Sequence, residues 1–176
     1  QAPPFGQGDE IDVAAARAQM DLMTANPQLA KGTELEAVTA AGVPVEWVTV
    51  PESDPAKVVL YLHGGGYVIG SIATHRSLVS RICAAAGTRA LSVEYRLAPE
   101  TRFPGAVEDA TFAYAYLLDK GIAPENIAIG GDSAGGGLTF ATRSEEHTPE
   151  LQPRRNLLCP LPLEKKNIPQ LPTTPS

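Results

Sequence analysis

Read for its hydrophobic and polar rhythm, the front of the chain alternates between helix-like and strand-like segments. Ile11, Ala14, Ala15, Ala18 and Leu22 form a stripe at helical spacing, so residues Ile11–Ala25 are predicted as a helix stopped before Pro27. Leu35–Ala41 reads as a weaker amphipathic turn or two of helix. Val45, Trp47, Val48 and Val50 give Val43–Val50 a strand-like pattern ending at Pro51. Val58–Leu62 is a continuous apolar run, the signature of a strand buried on both faces. Beyond it the pattern predicts a helix over His75–Ala86 closed by Gly87, a strand over Ala90–Tyr95 and a helix over Ala106–Lys120 stopped by Gly121. A strand over Ile127–Ile129 and the start of a helix over Leu138–Thr142 complete the series. Strands and helices alternating at this spacing predict an α/β fold with a mostly parallel sheet and helices on both faces.

The rhythm stops at Thr142. All 16 glycines of the chain, and every Phe, Tyr and Trp, precede that residue. The remaining stretch holds Pro149, Pro153, Pro160, Pro162, Pro169, Pro172 and Pro175, a composition that sustains neither helix nor core. Arg143–Thr148, RSEEHT, resembles the in-frame translation of a sequencing-library adapter. The sequence therefore divides into a cap-like helical segment (residues 1–42), a partial α/β core (43–142) and a non-native or disordered tail (143–176).

Charge removes several classes of function. The net charge of −6 opposes binding to a polyphosphate backbone, so nucleic acid is an unsuitable partner. No apolar run approaches the ~20 residues of a membrane-spanning helix, and no leader-like segment opens the chain, which makes a cytoplasmic location the default expectation. Cys83 and Cys159 have no spacing suited to zinc or a disulfide framework, and no metal is expected.

Two glycine-rich turns follow strands, where parallel sheets carry their sites. Gly131-Asp132-Ser133-Ala134-Gly135 matches G-x-S-x-G. Such a turn lifts a serine Oγ off a crowded strand-to-helix bend, and only small neighbours fit there. No Gly-Lys-Ser/Thr follows, which removes the phosphate-cradle reading. His63-Gly64-Gly65-Gly66-Tyr67 brings backbone N–H groups close to a bound group, and with the serine turn it supplies a nucleophile plus donors for a tetrahedral oxyanion. His63 precedes the nucleophile and reads as a structural residue of the loop rather than as a base.

HGGGY at His63–Tyr67, YRLAPE at Tyr95–Glu100, Phe103-Pro104 and GDSAGG at Gly131–Gly136 together resemble the hormone-sensitive-lipase-like esterases of the α/β-hydrolase fold. The resemblance implies Ser133 as nucleophile, with Gly65, Gly66 and Ala134 giving the oxyanion-hole amides. It implies that His63, Gly64, Asp132 and Glu100 support the site, that Tyr95–Glu100 buttresses it, and that the Ile11–Ala25 helix belongs to a cap. It further implies hydrolysis of short- to medium-chain esters or lactones, with no cofactor.

One departure stands out. In this fold the acid and the base follow the nucleophile, yet after Ser133 there is no Asp and the only histidine is His147. His75 lies upstream and reads as a surface residue. The expectation is a sheet incomplete after the nucleophile strand, with Ile127–Ile129 as an aggregation-prone edge, and a chain inactive by itself. A non-catalytic small-ligand-binding member of the same fold is the alternative. A chymotrypsin-like protease, suggested by Gly-Asp-Ser alone, conflicts with the helices.

Overall fold

The computed structural model describes residues 12–145; residues 143–145 of the expected tail fall within it and the rest of that tail lies outside. Helix α1 (Val13–Thr24) begins at Asp12, whose carboxylate caps the Ala15 amide at 3.0 Å. The elements that follow are β1 (Glu34–Ala40), β2 (Val43–Thr49), β3 (Asp54–Leu62), α2 (Ile72–Ala86), β4 (Thr88–Val93), α3 (Gly105–Asp119), β5 (Ile127–Gly131) and α4 (Ala134–Glu145).

The strands form one sheet in the order β1-β2-β4-β3-β5. β4, β3 and β5 run parallel, whereas β1 with β2 and β2 with β4 are antiparallel. The sheet is thus mixed, with its parallel part confined to three strands, two of which, β3 and β5, lead into the glycine-rich turns. Residues 35–41, expected as helical turns, instead form β1 up to Ala40. Ala41 and Gly42, at φ 51° and 92°, make the two-residue turn into β2, and the positive φ at both positions is what a tight hairpin requires. The expected boundary between residues 42 and 43 therefore falls inside a hairpin.

Alternation along each strand divides the core between the two faces. Val45, Val58, Leu60, Leu62, Leu91 and Val93 pack with Val107, Ala110, Ala113 and Leu117 of α3 and Leu138 of α4. Val48, Val50, Tyr61 and Ala90 point the other way and pack with Val79 and Cys83 of α2. Helices thus cover both faces, as the pattern predicts. On the α2 face Glu46 is buried, and Arg76 of α2 meets it through two hydrogen bonds of 2.9 and 2.6 Å. A buried carboxylate is tolerable only with such a partner.

Pairing places the chemistry. β3 and β5 are adjacent and parallel, with Leu62 registered opposite Gly131. Each strand's next residues are therefore a glycine-rich turn, and the two turns emerge side by side at the carboxyl end of the sheet. Among the described residues β5 pairs only with β3 and stands at the sheet's edge. No helix among them is long and apolar enough to cross a membrane.

Candidate active site

The turn after β5 is as tight as the G-x-S-x-G reading requires. Ser133 is exposed and sits at φ 50°, a left-handed conformation that costs a residue with a side chain of order 1–3 kcal/mol. Its neighbours leave no slack. A Cβ on Gly135 would lie 2.7 Å from the His63 carbonyl oxygen and closer still to that of Leu62. A Cβ on Gly131 would lie 2.6 Å from the backbone of Gly135. The elbow therefore packs directly on the end of β3, and α4 starts at Ala134, with the Gly135, Gly136 and Gly137 amides donating to the Asp132 and Ser133 carbonyls.

The turn after β3 bends through Gly65 at φ 120° and Gly66 at φ 63°. Its carbonyls are engaged: Val68 and Ile69 donate to the Gly65 oxygen at 3.1 and 3.0 Å, and Ala98 donates to that of Tyr67 at 2.8 Å. No hydrogen bond among the described residues occupies the N–H groups of Gly65, Gly66 or Ala134. These are the three amides expected to serve an oxyanion.

Asp132 joins the two turns. Its Oδ1 accepts from the Gly64 amide at 2.9 Å and from the Tyr61 hydroxyl at 2.8 Å. The carboxylate also occupies the space where a Cβ on Gly64 would stand, so glycine is required there. The Tyr61 hydroxyl is pushed above its usual range by burial and by its bond to Asp132.

His75 Nε2 lies 3.4 Å from the same Oδ1. The expectation that His75 is a surface residue is corrected: it is buried, with ring contacts to Tyr61 and His63 at 6.3 and 5.5 Å between centroids. The cause is the position of α2, which starts at Ile72 behind a Ser71–Thr74 capping box rather than at His75. Ile72, His75, Val79 and Cys83 then form its inward stripe.

His63 is almost fully buried and stacks on the Tyr95 ring at 4.2 Å between centroids. The Tyr95 hydroxyl donates to the His63 carbonyl at 2.6 Å. His63 Nδ1 lies 2.8 Å from the Gly64 oxygen, an arrangement in which Nδ1 carries the proton and donates. Burial, with a smaller push from His75, lowers the imidazole to about 4. A neutral ring wedged under the loop and committed to Gly64 is placed to shape the turn, as a structural residue would be.

Glu100 is exposed, and its carboxylate pairs with Arg17 of α1 at 2.8 and 2.9 Å, which holds it well below the ordinary carboxylate range. The guanidinium also donates to the carbonyls of Val68 and Ala98. Within the Tyr95–Glu100 stretch, Arg96 is fixed by the buried carboxylate of Asp109. A cleft of about 500 Å³ opens between α1 and these loops, lined by residues including Arg17, Glu94, Tyr95 and Glu100; Ser133 does not line it. Among the described residues no group of three His, Cys, Asp or Glu could hold a metal ion.

The sequence reading missed Tyr61, His75 and Arg17. For His75 a signal existed, in the apolar spacing of Ile72, Val79 and Cys83. Tyr61 lay hidden inside an apolar strand, and nothing local marks Arg17.

A strained, exposed hydroxyl at a helix start, next to unoccupied backbone amides, suits attack on a carbonyl carbon. A family profile described as alpha/beta hydrolase fold matches residues 59–169. The chain is 42% identical to an acetyl-hydrolase of Streptomyces hygroscopicus over 72% of its own length and 40% of that protein. It is 38% identical to an ethyl acetate hydrolase of Pseudomonas putida, over 68% of itself and 42% of the relative. The crystal structure of an esterase from the bacterial hormone-sensitive lipase family superposes with a TM-score of 0.73 at 44% identity, covering 88% of this chain and 50% of that one. The chain thus spans less than half the length of these curated relatives. With its profile match, its mixed sheet and its paired glycine turns, the chain belongs to the α/β-hydrolase fold family, among the hormone-sensitive-lipase-like esterases.

Proposed function

We propose that residues 12–145 carry the nucleophile and oxyanion half of a serine carboxylic-ester hydrolase acting on small esters or lactones. The Ser133 Oγ attacks the ester carbonyl, forming a new C–O bond while its proton passes to a general base. Negative charge moving onto the carbonyl oxygen meets the N–H groups of Gly65, Gly66 and Ala134. The tetrahedral intermediate then collapses, the alcohol leaves with the proton, and an acyl group remains on Ser133. Water attacks that ester in turn, releasing the carboxylic acid and restoring the hydroxyl.

The observation that carries this reading is the convergence of a positive-φ serine with unoccupied loop amides across the Leu62–Gly131 register. Preorganised donors of this kind contribute about 3–4 kcal/mol each to lowering an acyl-transfer barrier. The strain at Ser133 argues against the ligand-binding alternative, because a pocket that only binds has no use for a serine held at φ 50°.

His63 and His75 are the histidines among the described residues, and both are engaged away from Ser133: His63 by Gly64 and Tyr95, His75 by Asp132. The acid and base therefore belong outside residues 12–145, and those residues alone acylate slowly. The test is turnover of p-nitrophenyl acetate and butyrate by the full-length protein carrying these residues. Ser133→Ala is expected to lower kcat by about 10⁶; unchanged turnover in that variant rejects the assignment.

A further inference from the structure

Helix α1 is positioned by an unusual balance of forces. It has no buried residue, and its Leu22 and Met23 are 78% and 80% exposed. Apolar burial therefore contributes little to where it sits. Among the described residues, the hydrogen bonds that join it to other segments come from one side chain. The Arg17 Nε donates to the Val68 carbonyl at 2.8 Å; one terminal nitrogen donates to Glu100 Oε1 at 2.8 Å, and the other to the Ala98 carbonyl and Glu100 Oε2, both at 2.9 Å.

The loops that receive these bonds are the ones next to the unoccupied amides. Val68 comes two residues after Gly66, and Ala98 donates its own N–H to the Tyr67 carbonyl. The Gly65–Gly66 pair is consequently restrained from both ends. On one side Asp132 holds the Gly64 amide. On the other, Arg17 holds Val68 and, through Ala98, the carbonyl of Tyr67. Consecutive glycines have the most conformational freedom to lose, so their N–H groups stay aimed only where the flanking chain is fixed.

We propose that Arg17, oriented by Glu100, is a positioning residue that couples α1 to the oxyanion amides: with α1 docked the Gly65 and Gly66 N–H groups are held in line for developing negative charge, and with α1 released they lose that alignment. The proposal rests on the oxyanion role assigned to these amides above. A planar, five-donor guanidinium is required, because the compact ammonium of lysine cannot span two carbonyls and a carboxylate at once.

The test compares two competitive inhibitors of the full-length protein. Butane-1-boronic acid adds to a serine hydroxyl as a tetrahedral anion, whereas N-ethylbutyramide binds as a neutral trigonal amide. Arg17→Ala is expected to weaken the boronate about tenfold and the amide less than about twofold, since only the tetrahedral adduct uses the aligned amides. Arg17→Lys is expected to recover little of that loss. Hydrogen exchange at the Val68, Ile69 and Ala98 amides, which bond to the Gly65 and Tyr67 carbonyls, is expected to rise about tenfold in Arg17→Ala, with β4 unchanged. Equal weakening of both inhibitors, or no weakening and no change in exchange, overturns the proposal. The underlying oxyanion reading fails separately, if the wild-type protein does not bind the boronate or if Ser133→Ala binds it equally well.

Discussion

The junction of β3 with β5 and the docking of α1 are two ways of holding a functional surface, and they work by opposite means. At the junction, backbone lies against backbone. The elbow glycines touch the carbonyls of Leu62 and His63, and Asp132 fastens one turn to the other through the Gly64 amide and the Tyr61 hydroxyl. At α1 no residue is buried, and a single guanidinium reaches across to two loops and an exposed carboxylate. The first arrangement fixes geometry by leaving no alternative packing. The second fixes it through a polar contact that solvent can weaken. A site that must present donors rigidly and still admit substrate has reason to use both.

If that contrast is right, changes at the junction cost far more than changes on α1. Gly135→Ala heads the series: its Cβ collides with the end of β3, and we expect a loss of about 3 kcal/mol or more, read as a lower midpoint in urea. Gly136→Ala, one residue along, meets nothing closer than 3.5 Å and is expected to be neutral or stabilising by up to about 1 kcal/mol.

Acid is expected to loosen the junction through His63. Its folded value of about 4 lies below the ordinary 6.5, so between those limits the unfolded chain binds the extra proton. The contribution is present in full above pH 6.5 and is lost as pH falls toward 4, on the order of 3 kcal/mol in total. His63→Gln flattens urea stability over that window. The contribution of the Glu100–Arg17 pair also falls in acid, but only below about pH 4.5, where Glu100 of the unfolded chain begins to protonate while the paired carboxylate stays charged to lower pH, so the two effects separate.

Asp132→Ala leaves the Gly64 amide and the Tyr61 hydroxyl without their acceptor, and we expect a cost of about 2 kcal/mol. Asp132→Asn keeps an accepting oxygen and should retain most of that stability. Smallest of all, Leu22→Ser and Met23→Ser on the open face of α1 are expected to stay within about 0.5 kcal/mol of the parent in the same urea experiment.

The junction was legible in the sequence because its physics is local. A glycine forced by close approach, a serine on a bend and an apolar strand feeding each turn leave marks within a few residues of one another. The chain order of those marks carried the α/β reading and brought Ser133, Gly65, Gly66 and Ala134 to one end of the sheet. Strand pairing was less visible. Glu34–Ala40 exposes most of its side chains at the sheet's edge, so burial leaves no strand rhythm there and its pairing with β2 decides its conformation. Least visible was Arg17, whose partners lie 51, 81 and 83 residues away. No spacing rule connects such positions, and only the folded chain brings them together.

The assignment of Ser133 as nucleophile beside the loop amides is open to one decisive measurement. The full-length protein carrying these residues is treated with a fluorophosphonate ester, and the modified peptide is mapped by mass spectrometry. A single adduct on the peptide containing Ser133, absent from Ser133→Ala, is the predicted result. An adduct on another side chain, or undiminished labelling of the alanine variant, would contradict the account.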